Sequence, residues 1–203
     1  GRLSKTKHAD KPRGLNVVKA AKIVEAKPDV KVEAPKSQYN TYGLTFNGGA
    51  LTEPDWEFIQ KAIKDNGVKT VLEFGAGLST LLLNDYPGIK VTSYEDKQGW
   101  IDKLKKLKPS CDIKLWDGKS ASLRLGRFDM AFVDGPAGDS SREDSTKLAA
   151  AKCDVVIVHD AGREWARKYQ EEFLAKEFDG PVRGGHRCHL WTKKKVSTDK
   201  PTN

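Results

Sequence analysis

Cysteine is scarce in this 203-residue chain: Cys111, Cys153 and Cys188 are an odd number with no C-x-x-C spacing. Such a pattern encodes neither a disulfide framework nor a cysteine zinc site, and buried free thiols are the expectation. Long apolar runs are missing too. Mean hydropathy is −0.62, and no stretch approaches the roughly 20 apolar residues that a spanning helix needs, which excludes an integral membrane protein of that kind. Aromatic residues make up only 8% and hydrophobic residues 37% of the chain. That is still enough for one sizeable core, since domains typically run to about 100–150 residues. No repeat with a period of 20–50 residues is visible.

Charge is plentiful, and its distribution matters more than its net value of +8. Residues 1–45 hold ten Lys/Arg against four acids, a surplus of six, and residues 192–203 hold four Lys against Asp199, a surplus of three. The middle is left close to neutral. Two basic ends around a neutral centre do not describe a groove that tracks phosphates, although they offer salt-sensitive attraction to a polyanion. Residues 1–45 lack periodicity and read as a basic flexible arm, 46–192 as the folded domain and 193–203 as a basic tail. The chain starts at Gly1 rather than Met, so its N-terminus reads as cut or engineered and leaves room for an upstream signal or anchor. Soluble and cytoplasmic is the default expectation, with the compartment open.

Periodicity begins at Thr52-Glu53-Pro54-Asp55, a helix start followed by Trp56, Ile59 and Ile63 at helical spacing. Asp65-Asn66-Gly67 ends that helix. Strands are then expected at 69–74, 91–94, 112–116, 128–133 and 155–158, alternating with helices at 78–84, 99–107, 142–152 and 164–176. Residues 181–183 and 189–192 are placed to form a terminal antiparallel pair. Apolar strands alternating with helices call for an α/β, doubly wound sheet covered on both faces.

Glu73-Phe74-Gly75-Ala76-Gly77-Leu78-Ser79 occupies the end of the first such strand and opens a helix, where open α/β sheets hold nucleotides. Gly75 and Gly77 permit a tight turn and close approach of the backbone. Glu95, with Asp96, follows at the roughly 20-residue interval expected of an acid that accepts ribose hydroxyls. A dinucleotide loop would carry a third glycine where Thr80 stands. S-adenosylmethionine has no pyrophosphate and tolerates that departure. Glu73 suits its amino-acid end or orders the loop, Ser79 belongs to the same loop, and Asp117 is placed to meet the adenine. A plain tight turn with a solvated Glu95 is the competing explanation.

These features resemble class I S-adenosylmethionine-dependent methyltransferases over residues 50–192. A narrower set, Phe132-Val133-Asp134-Gly135-Pro136, Val158-His159-Asp160 with Arg163, Glu171-Glu172-Phe173-Leu174 and Tyr94-Glu95-Asp96 with Trp100-Ile101, is similar to the plant glucuronoxylan 4-O-methyltransferase family. The resemblance implies a Rossmann-like sheet and methyl transfer to a sugar hydroxyl, in that family on glucuronic acid of a polysaccharide. The segment between Asp134 and Val155 is shorter here than in those proteins. The acceptor must lose a proton as the bond forms. Asp134 and Asp160, at the ends of successive strands, are candidates for the base and its partner or for a divalent metal site, with His159 the competing base. Asp134 also fits a turn residue before Gly-Pro, and His159 a core histidine. Arg142 and Arg163 fit an anionic acceptor such as a uronate, or plain surface charge. Trp165 is the candidate sugar-stacking ring. The chain has no Asn/Asp-Pro-Pro-Tyr/Phe segment, which counts against base methylation in nucleic acid. Other acceptors, small-molecule or macromolecular, remain the alternative, as does a non-catalytic binding module of the same fold tethered by its basic ends.

Overall fold

The protein is described as a computed structural model over residues 37–47, 50–136 and 141–195. Helix α1 (Glu53–Asp65) starts at the expected cap. Asp55 N donates to Thr52 Oγ1 and Thr52 N donates to Asp55 Oδ2, so two otherwise orphaned N–H groups are satisfied reciprocally. The helix buries Trp56, Ile59, Ala62 and Ile63. There follow β1 (Thr70–Phe74), α2 (Leu78–Asp85), β2 (Lys90–Glu95), α3 (Gln98–Leu107), β3 (Ile113–Leu115), a 3-10 turn (Ser120–Ser122) and β4 (Phe128–Val133). The chain continues with α4 (Ser141–Lys152), β5 (Cys153–Val158), α5 (Glu164–Phe173), β6 (Phe178–Gly184) and β7 (Cys188–Lys193).

The seven strands lie in the order β3-β2-β1-β4-β5-β7-β6. The first five are parallel, and β7 pairs antiparallel with both β5 and β6. This is the doubly wound sheet with a terminal antiparallel pair that the sequence pattern predicts. Successive strand residues go to opposite faces, and both faces are covered. Val71, Met130, Phe132 and Ile157 join Trp56 and Ile59 on one side. Leu72, Phe74, Ala131, Val133 and Val156 join Leu148 and Trp191 on the other.

Register decides where the chemistry collects. Phe74 lies opposite both Tyr94 and Val133, and Val133 lies opposite Val158. The next residues in each strand, Gly75, Glu95, Asp134 and His159, therefore emerge together at the carboxyl edge. The chain reverses its direction of winding between β1 and β4, which opens a crevice there.

One boundary differs from the expectation. Residues 37–45, assigned to the arm, belong with the folded unit that begins at Ser37. Tyr39, Leu44 and Phe46 pack on the core, Tyr39 donates to Gln60 Oε1, and Tyr42 donates to Asp85. Three aromatic side chains supply the apolar area that the lysine-rich segment before them lacks. Likewise Lys193 ends β7, and Lys194 donates to the carbonyls of Ala175 and Lys176. The rest of the expected arm and tail, residues 1–36 and 196–203, lies outside the described residues. Cys111, Cys153 and Cys188 are free and buried. Among the described residues no helix is long and apolar enough to cross a membrane.

Candidate active site

The loop after β1 is held from three sides. Gly75 has φ +90°, and a Cβ there would lie 2.6 Å from the backbone nitrogen of Gly135. Glycine is thus required for the loops after β1 and β4 to meet. Glu95 accepts from Ala76 N and Lys97 N, each at 3.1 Å. Trp100 Nε1 donates to Ala76 O at 2.6 Å. Beneath the loop Glu73 is fully buried and accepts from the hydroxyls of Ser79, Thr80 and Ser93. Burial pushes Glu73 up to about 7, against the downward pull of those hydroxyls. Burial also pushes Glu95 up to about 7, reinforced by neighbouring Asp96.

These residues border a cavity of about 700 Å³ lined by Gly75, Gly77, Glu95, Asp96, Trp100 and Asp134, among others. Its size falls in the range of about 300–1,000 Å³ usual for small-molecule sites. A smaller hollow of about 420 Å³ shares Asp96 and is lined by Trp116, Asp117 and Leu123. A backbone turn without side-chain obstruction beside an acid, with an aromatic-walled hollow next to it, fits the S-adenosylmethionine shape of sulfonium, ribose and adenine. Two expectations change in detail. Glu73 has no surface in the cavity, so it orders the loop rather than touching a ligand. Ser79 lines the cavity, but its hydroxyl is committed to Glu73.

Across the crevice, Asp134 Oδ1 accepts from Arg142 Nη2 at 3.1 Å and lies 2.9 Å from His159 Nδ1. Its Oδ2 has no partner among the described residues, and the side chain is 24% exposed, toward the cavity. His159 Nε2 lies 3.4 Å from Asp55 Oδ2. Ionised carboxylates only accept, so an imidazole with one on each nitrogen is held as the imidazolium. Burial by itself lowers the His159 pKa, but Asp134 and Asp55 together raise it to about 9. With a carboxylate near each ring nitrogen and its pKa raised, His159 fits the role of the competing base less well than Asp134. Asp55, although buried, is held well below the usual carboxylate range by His159, Thr52 and the N–H groups of Arg187 and His186.

Asp160 adopts φ +53°, a left-handed conformation that aspartate tolerates better than most residues. Its Oδ1 meets Arg187 Nη1 at 2.6 Å and its Oδ2 meets Arg163 Nη2 at 2.8 Å. Ligand atoms of Asp134, His159 and Asp160 lie within 4.8 Å of one another. They do not fit a divalent cation, because Arg142, Arg163, Arg187 and protonated His159 already hold these carboxylates and would repel it. The metal expectation is set aside on that ground.

Trp165 departs from its expected role. Its ring lies 5.2 Å from the Arg142 guanidinium and 6.0 Å from that of Arg163, and it is not among the residues that line the cavity, so it contacts the arginines that do. Arg142 is buried by this packing and lines the cavity with Arg163. Three participants escaped the sequence reading. Asp55 is already explained by the capping box, Trp100 stands in a motif of the resemblance without a role of its own, and Arg187 lies outside every motif.

No family model matches the chain, and no curated protein matches its sequence. Solved structures share the fold at low identity. The 16S rRNA N2 G1207 methyltransferase of T. thermophilus, solved with AdoMet and guanosine, is 20% identical over 73% of this chain, with a TM-score of 0.54. This chain spans 45% of that protein's length. A candidate caffeoyl-CoA O-methyltransferase from Staphylococcus aureus is 16% identical over 68% of this chain and 82% of its own, with a TM-score of 0.52. A TehB-like SAM-dependent methyltransferase from Corynebacterium glutamicum is 18% identical over 72% of this chain and 91% of its own, with a TM-score of 0.51. These likenesses establish a Rossmann-like fold that methyltransferases use.

Proposed function

We infer that the chain is an S-adenosylmethionine-dependent methyltransferase that acts on a hydroxyl. The observation that carries this reading is one cavity bordered by the Gly75–Gly77 turn, by Glu95 and by Asp134, whose Oδ2 has no partner among the described residues. When bound, S-adenosylmethionine supplies a methyl group already activated on a sulfonium. Glu95 is placed to accept the ribose hydroxyls, and the hollow at Trp116 and Asp117 to take the adenine. Asp134 Oδ2 takes the acceptor proton, while Arg142 and His159 fix its other oxygen and so aim it. The motifs around Asp134 and His159-Asp160, similar to those of the glucuronoxylan family, favour a carbohydrate acceptor, in particular a uronic-acid-containing glycan. Base methylation of RNA, as named for the T. thermophilus protein, receives less support because the Asn/Asp-Pro-Pro-Tyr/Phe segment, a mark of amino-group methylation, is absent.

The test is calorimetry with S-adenosylmethionine and, separately, NAD, followed by assay of S-adenosylhomocysteine release with glucuronic-acid oligosaccharides. Selective binding of S-adenosylmethionine is expected, and binding of NAD alone would contradict the donor assignment. Asp134→Ala should bind the donor within a few-fold of wild type yet lose about 10²–10⁴ in turnover, the usual worth of a positioned base. Full turnover by that variant would remove Asp134 from the chemistry. Gly77→Arg should abolish donor binding by filling the turn.

A further inference from the structure

The turn between β6 and β7 and the start of α5 enclose a second cavity, of about 550 Å³. It shares Asp160 and Arg163 with the donor cavity, so one wall serves both. Arg163, Arg183 and Arg187 line it, together with His186 and His189, against a single carboxylate, that of Asp160.

That carboxylate is fully engaged, with one oxygen on Arg163 and the other on Arg187. Three guanidinium groups facing one carboxylate leave two formal positive charges without a counterpart in the cavity. Arg183 has no ion pair among the described residues, and its charge acts inward: after burial itself, it is what lowers the pKa of His189. Arg187 divides its guanidinium between Asp160 and the carbonyl of Ala50, and its Nε is buried with no hydrogen-bond partner among the described residues. Helix α5 also begins at this wall, and its cap residue Arg163 makes no side-chain cap bond, so the first N–H groups add positive potential. Cations converging on a partly enclosed hollow repel one another until an anion enters. Guanidinium groups meet carboxylate or phosphoryl oxygens two bonds at a time.

We propose that this cavity binds the anionic group of the acceptor, a carboxylate or phosphoryl oxyanion, and holds the acceptor so that its hydroxyl crosses the Asp160–Arg163 wall toward Asp134. The assignment of the anion to the acceptor rests on the methyl-transfer reading; the anion site itself does not. Arg183, Arg187 and the turn at Gly184–Cys188 then select the acceptor, while Asp134 acts on it.

The experiment is a titration of the full-length protein, saturated with S-adenosylhomocysteine, with inorganic phosphate, with glucuronate and with uncharged glucose. Saturable binding of at least one oxyanion, none of glucose, and weakening as salt is raised are expected. Arg183→Ala, an exposed side chain whose loss leaves the fold alone, should weaken oxyanion binding about tenfold, the scale of one charge-assisted contact. Arg183→Lys should fall between, and S-adenosylhomocysteine affinity should not change in either. Preference for glucuronate assigns a carboxylated acceptor, and preference for phosphate a phosphorylated one. Absence of binding by both oxyanions, or equal affinity in wild type and Arg183→Ala, overturns the proposal. If S-adenosylhomocysteine fails to bind while an oxyanion still does, the donor reading falls and the anion site stands.

Discussion

His159 and Glu73 are both buried and both titrate away from their ordinary ranges, and the consequences can be separated by pH. For His159 the folded pKa, raised to about 9, lies above the unfolded value near 6.5. Its contribution to stability is therefore complete below about pH 6.5 and is lost as pH rises through 9. At about 1.4 kcal/mol per pH unit the full loss is on the order of 3 kcal/mol. His159→Asn should flatten the stability profile between pH 6.5 and 9, measured by urea unfolding, while leaving its slope below pH 6.5. Glu73, raised to about 7 by burial, binds its proton more tightly folded than unfolded. Stability thus falls as pH rises from about 4.5 to 7; Glu95, raised to the same range, adds to that slope, and Glu73→Gln should remove only the share of Glu73. A profile that keeps its alkaline limb in His159→Asn would mean that the imidazole is neutral between its two carboxylates.

At the scale of elements, one carboxylate ties three of them together. Asp55 belongs to the first turn of α1, its Oδ1 accepts from His186 N at 2.7 Å and Arg187 N at 2.9 Å, and its Oδ2 faces His159 at the end of β5. Gly185 makes this possible, with φ +59° and a position where a Cβ would lie 2.6 Å from Asp55 Oδ1. Gly185→Ala should cost about 1–3 kcal/mol, from left-handed strain and the displaced carboxylate, in equilibrium unfolding. It should also weaken oxyanion binding, because Arg187 follows the turn. None of this was legible in the sequence. Strand ends, the Gly75 turn, Glu95 and the Asp134 position could be read because each follows from a local pattern of a few residues. The meeting of Asp55 with His159, 104 residues away, depends on how the terminal strand pair folds back over α1, and a local capping explanation for Asp55 was already complete. Trp165 shows the same limit: its neighbourhood in sequence was right, but the side of the ring available to a ligand is set by Arg142 and Arg163 packing on it. The arm boundary differs because lysines averaged over 1–45 mask Tyr39 and Tyr42.

Across the whole molecule, charge is partitioned between the ends and the two cavities. The first cavity sets Glu95, Asp96 and Asp134 beside Lys97, Arg142 and Arg163, whereas the second sets three arginines against the one carboxylate of Asp160. Ten of the basic residues, against four acids, lie before Ser37, outside the folded unit that contains both cavities. Every described residue that lines the first cavity lies at or after Gly43, so attraction of residues 1–36 to a polyanion can be tested separately from donor binding. A chain beginning at Ser37 should therefore bind S-adenosylhomocysteine within about twofold of full length and elute from heparin at lower salt, each removed cation reducing the salt dependence. The same truncation separates catalysis from tethering. Unchanged turnover on a short uronic-acid oligosaccharide, with lower turnover on a long polyanionic one, would assign residues 1–36 to holding a polymeric acceptor near the crevice, where a raised local concentration acts without any new contact at the site. Equal loss on both would place part of that segment in the active site itself.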